Sequence, residues 1–470
     1  MSQTQALSDS AKKIIKIAKV VRFNAGFSLG VDIFIFGPLY YERLAQFTSA
    51  TTAMTITTLM ISISSILRLV LEVPTGAIAD TLGRKKIIIL SLNFSVLDLA
   101  FMALLCLAPN LTIMLALGSL AQVTYSFSYS FFNGTFTAWC IDNFKAHAPE
   151  VGTNVIMARS YTQYFIGMMI GGVLSVYLYL HGFAYIAFLI AAVGCVVCIT
   201  FCLGEMEDEP GIDYIDVKRV GFSAITQRIG RITGDAFQVF RKSPVILSLV
   251  VVYACFFFVI NIVDYLWPVY LRSSIDPAIQ SQAWIGLVLV LLAFTIIGSK
   301  LLTPAIQKWG GVAGSHHQVK GLHILLFASC LISAVPILIL SYSTLVGNHS
   351  FWIFMCAIIP VEFAYGIIAP CFDTLINHYI SDSNAPQRAT ILSFASLLRS
   401  FLIIILSVPA GGSTGKTSPI GWAIPAGLLL IVTVIGFLIV RKRSDQISDV
   451  IALREENSMV DAMTSNGLVQ

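Results

Sequence analysis

Glu72-Val-Pro-Thr-Gly76-Ala-Ile-Ala-Asp80-Thr-Leu-Gly83-Arg84-Lys85-Lys86 interrupts an otherwise apolar stretch of chain. Before the turn, residues 52–77 carry only Arg68 and Glu72 as charges. After it, residues 87–108 carry only Asp98. Each flank exceeds the ~20 apolar residues that a helix needs to cross a bilayer. A short connection holding three consecutive bases places that turn at one face of a membrane, on the side where Lys and Arg accumulate.

The rest of the chain repeats this pattern. Of 470 residues, 57% are hydrophobic and 11% charged, against about 25% charged in soluble domains. An ordinary soluble enzyme and a disordered chain are both excluded. Apolar runs recur at 19–41, 52–77, 87–108, 111–138, 155–179, 182–204, 245–271, 282–304, 321–343, 350–377, 389–411 and 419–440. The expectation is therefore twelve spans. The longest polar break divides them into a six-span half at 19–204 and another at 244–441. An N-tail covers 1–18, a linker 205–243 and a C-tail 442–470. Within the linker, Ile225–Phe240 has the composition of a short surface helix or a solvated connection.

The net charge of +4 says little, but its distribution orients the chain. With a cytoplasmic N-terminus, the outer loops hold only Arg43, Arg272 and Lys416. Arg68 and Arg399 fall within spans, and the rest of the 29 bases face the cytoplasm. The topology expected is multi-pass in the cytoplasmic (inner) membrane, with both termini cytoplasmic. No cleavable leader is evident.

Cys106, Cys195, Cys198, Cys202, Cys255, Cys330, Cys356 and Cys371 lie in or beside apolar runs and Cys140 at the end of one, as small hydrophobes do. His316, His317 and His323 share a stretch read as a loop, with no Cys or carboxylate at ligand spacing. No metal and no cofactor is expected. A phosphate-binding Gly-x-x-x-x-Gly-Lys-(Ser/Thr) is absent, and the bases follow topology rather than a nucleic-acid surface.

The turn at 76–85 resembles the cytoplasmic loop signature of the major facilitator superfamily, Gly-x-x-x-Asp-(Arg/Lys)-x-Gly-Arg-(Arg/Lys). Gly76, Asp80, Gly83, Arg84 and Lys85 match, and Thr81 stands where the family carries a base. Gly134-Thr-Phe-Thr-Ala-Trp-Cys-Ile-Asp142 and Arg388–Arg399 resemble segments of bacterial members, the latter exporter-like. The second-half copy of the loop keeps Lys308 and Gly310 without the Asp. Gly167-Met-Met-Ile-Gly171-Gly172 is half of an antiporter signature, lacking its proline. The resemblance implies an all-α membrane protein of twelve helices in two pseudo-symmetric six-helix halves that rock about a central site. It further implies a latch in which Asp80 faces Arg388–Thr390 and Arg84 reaches Asp142.

Ionisable groups inside a span are expensive to bury and mark function. Asp32, Arg68, Asp264, Glu362 and Arg399 are the candidates for a proton or substrate cavity. Asp32 is the first choice. The alternative is a structural pair with Arg68, which could instead pair with Glu72 four residues on. Glu362 and Arg399 form the second-half pair candidate. Asp98 lies in span three, which the resemblance makes peripheral. Phe34, Phe36, Tyr40, Tyr41, Tyr125, Phe256–Phe258, Tyr265, Trp267 and Tyr270 could line a pocket or face lipid. The function expected is secondary transport of a small organic molecule, with proton-coupled export leading, by a monomer in a lipid bilayer. Alternatives are a specific metabolite or siderophore transporter, and a sensor or scaffold that kept the fold.

Overall fold

The computed structural model describes residues 8–148, 153–207, 243–274, 280–309, 316–347, 350–379 and 419–443, with isolated positions at 227, 231, 234, 394, 398, 401 and 402. All regular structure among them is α-helical, as a bilayer demands, since a helix satisfies its backbone groups internally. The first group comprises α1 (Asp9–Ile33), α2 (Phe36–Ala45), α3 (Ala50–Leu82), α4 (Arg84–Cys106), α5 (Leu111–Phe132), α6 (Thr135–His147), α7 (Asn154–Leu180) and α8 (Ala184–Glu205). The second comprises α9 (Pro244–Ser274), α10 (Gln280–Trp309), α11 (His316–Leu345), α12 (Phe351–Tyr379) and α13 (Pro419–Lys442). The expected span 389–411 and the Ile225–Phe240 segment lie outside the described residues but for single positions.

Among the described residues, two spans are broken along their length. The first divides at Phe34–Ile35, where the Ile35 amide donates to the Asp32 carbonyl. The fourth divides at Asn133–Gly134, because Gly134 takes φ +37°, a backbone region costly for any residue with a Cβ. Helix α1 also begins at Asp9, well inside the stretch expected as a tail. Ser8 caps it by accepting from the Ala11 amide, and Ala11, Ile14, Ile15 and Ala18 are buried.

Apolar side chains such as Val70, Val193, Val197 and Leu438 are exposed along the outer helix faces, where lipid would lie. Inside, small residues replace large ones. Gly26 and Gly30 of α1 abut the Tyr164 and Met168 carbonyls of α7, and Gly167 and Gly171 of α7 abut the Phe23 and Phe27 carbonyls. The half-signature glycines thus bring two backbones into contact, which is how helices associate without a hydrophobic driving force. A Cβ at Gly30 would collide with that backbone. Gly30→Val is expected to lose on the order of 3 kcal/mol or more. A thermal unfolding assay of the purified protein checks this; an unchanged midpoint would contradict the packing.

Helix α7 packs on α1 in its own group and on α10 and α12 of the other. Thr162 of α7 shares a 2.8 Å hydrogen bond with Ser299 of α10, and Tyr179 meets the Trp284 ring edge-on at 6.0 Å near the opposite end. Helix α7 is thus the strut along which the two groups meet.

Candidate functional site

The turn at 76–85 is only partly a loop. Gly76 and Asp80 lie within the last turns of α3, whose Ala-Ile-Ala run sustains the helix up to Leu82. Gly83 then ends α3 and starts α4 at φ 104°, a conformation open to glycine and strained for other residues. Arg84, fully buried, donates from Nη2 to Asp80 Oδ1 at 2.9 Å and from Nη1 to Asp142 Oδ2 at 2.6 Å. Lys85 Nζ donates to the Met206 carbonyl at 2.5 Å, tying the turn to the end of α8. Arg84 therefore bridges two carboxylates from α3 and α6. Arg388–Thr390, expected opposite Asp80, lie outside the described residues.

A cavity opens within the bundle. Asp32 near the end of α1 and Asp98 of α4 both line it, close enough for their charges to act on each other. Asp98 is only 7% exposed. Among the described residues, neither carboxylate makes a hydrogen bond or an ion pair. Tyr125, Tyr129 and Phe132 of α5, Tyr161 and Tyr164 of α7, and Tyr253 and Phe257 of α9 supply an aromatic wall. Of the aromatics expected there, Tyr125 and Phe257 line this cavity. Phe34 borders a smaller one, while Phe36 stacks on Tyr40. The side chains of Tyr265, Trp267 and Tyr270 lie outside the description.

Two expectations need correcting. Asp98 is not peripheral: α4 packs between α5 and α8, which turns one of its faces towards α1. Arg68 does not pair with Asp32. Its guanidinium donates to the Ser64 carbonyl and Ser65 Oγ and stacks over the Tyr125 and Tyr129 rings at 5.6 and 5.3 Å. The rings satisfy the cation through their faces. The Glu72 side chain lies outside the description.

Glu362 of α12 accepts from Thr295 Oγ1 at 2.8 Å and borders the smaller cavity with Leu29, Ile33 and Met168. Leu29 and Tyr365 line both cavities, so Glu362 lies next to the Asp32–Asp98 site rather than in it. Asp264 falls on α9 with its side chain outside the description, and Arg399 lies outside the described residues altogether. His323, expected in a loop, is buried on α11, with Nδ1 at 2.9 Å from the Val319 carbonyl and Nε2 at 3.3 Å from Tyr379 Oη. Cys356 is exposed rather than buried.

A buried network that sequence patterning does not reveal closes one end of the cavity. Tyr161 Oη of α7 donates to Asp373 Oδ2 of α12 at 2.7 Å. Thr137 Oγ1 of α6 lies 3.4 Å from the same oxygen and accepts from Arg22 Nη2 at 2.7 Å. The Arg22 guanidinium stacks over the Tyr161 ring at 4.4 Å. The network joins both helix groups. Asp373 lies inside an apolar run, so the criterion that singles out Glu362 applies to it equally. Nothing local in the sequence points to its partners.

A family model described as Major Facilitator Superfamily matches residues 23–408. No curated protein sequence matches the chain. Among solved structures, the proton:xylose symporter XylE bound to 6-bromo-6-deoxy-D-glucose is 12% identical, covering 92% of this chain and 96% of that one at a TM-score of 0.65. The human organic anion transporter MFSD10 (TETRAN) is 13% identical, covering 92% and 99% at 0.60. The transporter FucP in the outward conformation is 14% identical over the same shares at 0.60. At such identities the likeness is one of fold. The family-model match spans most of the chain, and the apolar helices cross the membrane many times. The chain belongs to the Major Facilitator Superfamily, and it is a membrane transporter rather than an enzyme.

Proposed function

We propose that this transporter is a proton-coupled exporter of small organic molecules, working as a monomer in the cytoplasmic membrane with both termini inside. The observation that carries the reading is the pair Asp32 and Asp98, two carboxylates in a shared cavity without a cationic partner among the described residues. A carboxylate in such a place binds a proton when dry and releases it when wetted or approached by positive charge. Asp32 is the carrier. The titratable groups sharing its cavity among the described residues are Asp98 of α4, Tyr125 and Tyr129 of α5, Tyr161 and Tyr164 of α7, Cys195 of α8, Tyr253 of α9, Tyr365 of α12, and Arg22 lower on α1. Alternating access breaks contacts between the helix groups, with Arg22–Thr137–Asp373–Tyr161 as the gate. Gly76, Asp80, Gly83, Arg84, Lys85 and Asp142 form a pre-organised latch, with Arg388 as its counterpart. The exporter-like segment 388–399 supports the outward direction.

Inverted membrane vesicles test both coupling and direction. With an acidic lumen, a transported compound should accumulate and dissipate the pH gradient, read as recovery of a quenched pH-sensitive dye. Accumulation that ignores the gradient overturns coupling. Accumulation only in right-side-out vesicles overturns export. The orientation is checked separately by cysteine labelling from outside intact cells. A cysteine at Gly347 should react and one at Ser444 should not.

A further inference from the structure

We infer that the large cavity is built for an organic cation, an amine or quaternary ammonium on an aromatic or apolar body, held between Asp98 and Asp32 and the tyrosine wall of α5 and α7. The inference rests on the transporter reading above and narrows its substrate class.

The balance of charge within the cavity points to a cation. Among the described residues, the acidic or basic side chains lining it are Arg22, Asp32 and Asp98. Arg22 donates from Nη2 to Thr137, stacks on Tyr161 and has Asp373 nearby, although its buried Nε has no hydrogen-bond partner. Arg68 is not among the lining residues. The two remaining carboxylates face the cavity together, and Asp98 is nearly sealed from every other surface. Carboxylates this deep in a span are costly to keep unless a cation visits them.

The wall fits the same ligand. Tyrosine and phenylalanine rings present negative faces that attract alkylammonium groups. Tyr125 and Tyr129 already hold the Arg68 guanidinium in this way. Among the described residues, Arg22 is the one basic side chain in the lining.

Equilibrium binding to the purified full chain in nanodiscs tests this without flux. The probes are tetraphenylphosphonium, its near-isostere of opposite charge tetraphenylborate, and the smaller benzyltrimethylammonium. Both cations should bind saturably and tetraphenylborate should not. Asp98→Asn should weaken cation binding at least ~10-fold, since a desolvated charge-assisted contact is lost, and Asp98→Glu should restore part of it. The phosphonium–borate comparison needs no variant, so a misfolded mutant cannot rescue the idea. Equal binding of tetraphenylborate, no saturable binding of either cation, or unchanged affinity in folded Asp32→Asn/Asp98→Asn overturns the inference. A protein that binds cations but moves none in vesicles would overturn the transport reading alone. Gradient-driven flux of a neutral compound that no cation competes with would overturn the cation site alone.

Discussion

Asp32→Asn is expected to abolish accumulation driven by a pH gradient while leaving passive exchange of substrate measurable. Asparagine keeps size and polarity at a position ten residues, or about 15 Å, along α1 from Arg22. It cannot gain or lose a proton. If Asp32 carries the proton, accumulation should fall to the level set by equilibration. The loss would be complete rather than partial, because a carrier that cannot titrate cannot be driven. A purely structural role predicts another outcome: poor expression or a lowered unfolding temperature, with the folded fraction still gradient-driven. Among the described residues Asp32 has no ion pair to lose, which argues for the first. Full gradient-driven transport by well-folded Asp32→Asn would end the proposal and move attention to Asp98 and Glu362.

The second large effect belongs to Arg84. Its side chain is wholly buried and bridges Asp80 and Asp142 at 2.9 and 2.6 Å. Arg84→Met keeps length and apolar volume but strands two carboxylates. Removing one partner from a buried ionic group typically costs about 3–5 kcal/mol, so the unfolding temperature should drop sharply. Asp80→Asn should be milder in stability, since Arg84 retains Asp142, yet transport should slow strongly if the turn latches one state. Substrate affinity should change little. Thermal unfolding and initial flux rates on the same preparations separate the effects. Normal turnover in Asp80→Asn would remove the latch from the mechanism, and a stable Arg84→Met protein would contradict the burial.

Part of this architecture is legible in the residues alone. Residues 76–85 announce two spans and a basic turn, because spanning length and charge are local properties of a chain. The breaks within the first and fourth spans are less legible. Gly134 gives a hint, since glycine permits the positive φ found there, but many glycines in this chain sit in unbroken helices. In the folded chain the half-signature glycines Gly167 and Gly171 serve close helix packing. Which helix they touch is not written beside them.

The sequence by itself determined the class of the molecule and the turn that carries Gly83 and Arg84. Tertiary structure decided which charges meet. It set Asp98 beside Asp32 in one cavity, placed Arg68 over two tyrosine rings rather than beside Asp32, and joined Tyr161 to Asp373 across 212 positions of chain. The physical reason is that a helix in lipid is apolar on its outer face and largely apolar on its inner one. No amphipathic stripe then fixes its rotation. Rotation is set by small residues and buried polar contacts against neighbouring helices, as at Gly30 and Met168, and these exist only once the bundle has assembled.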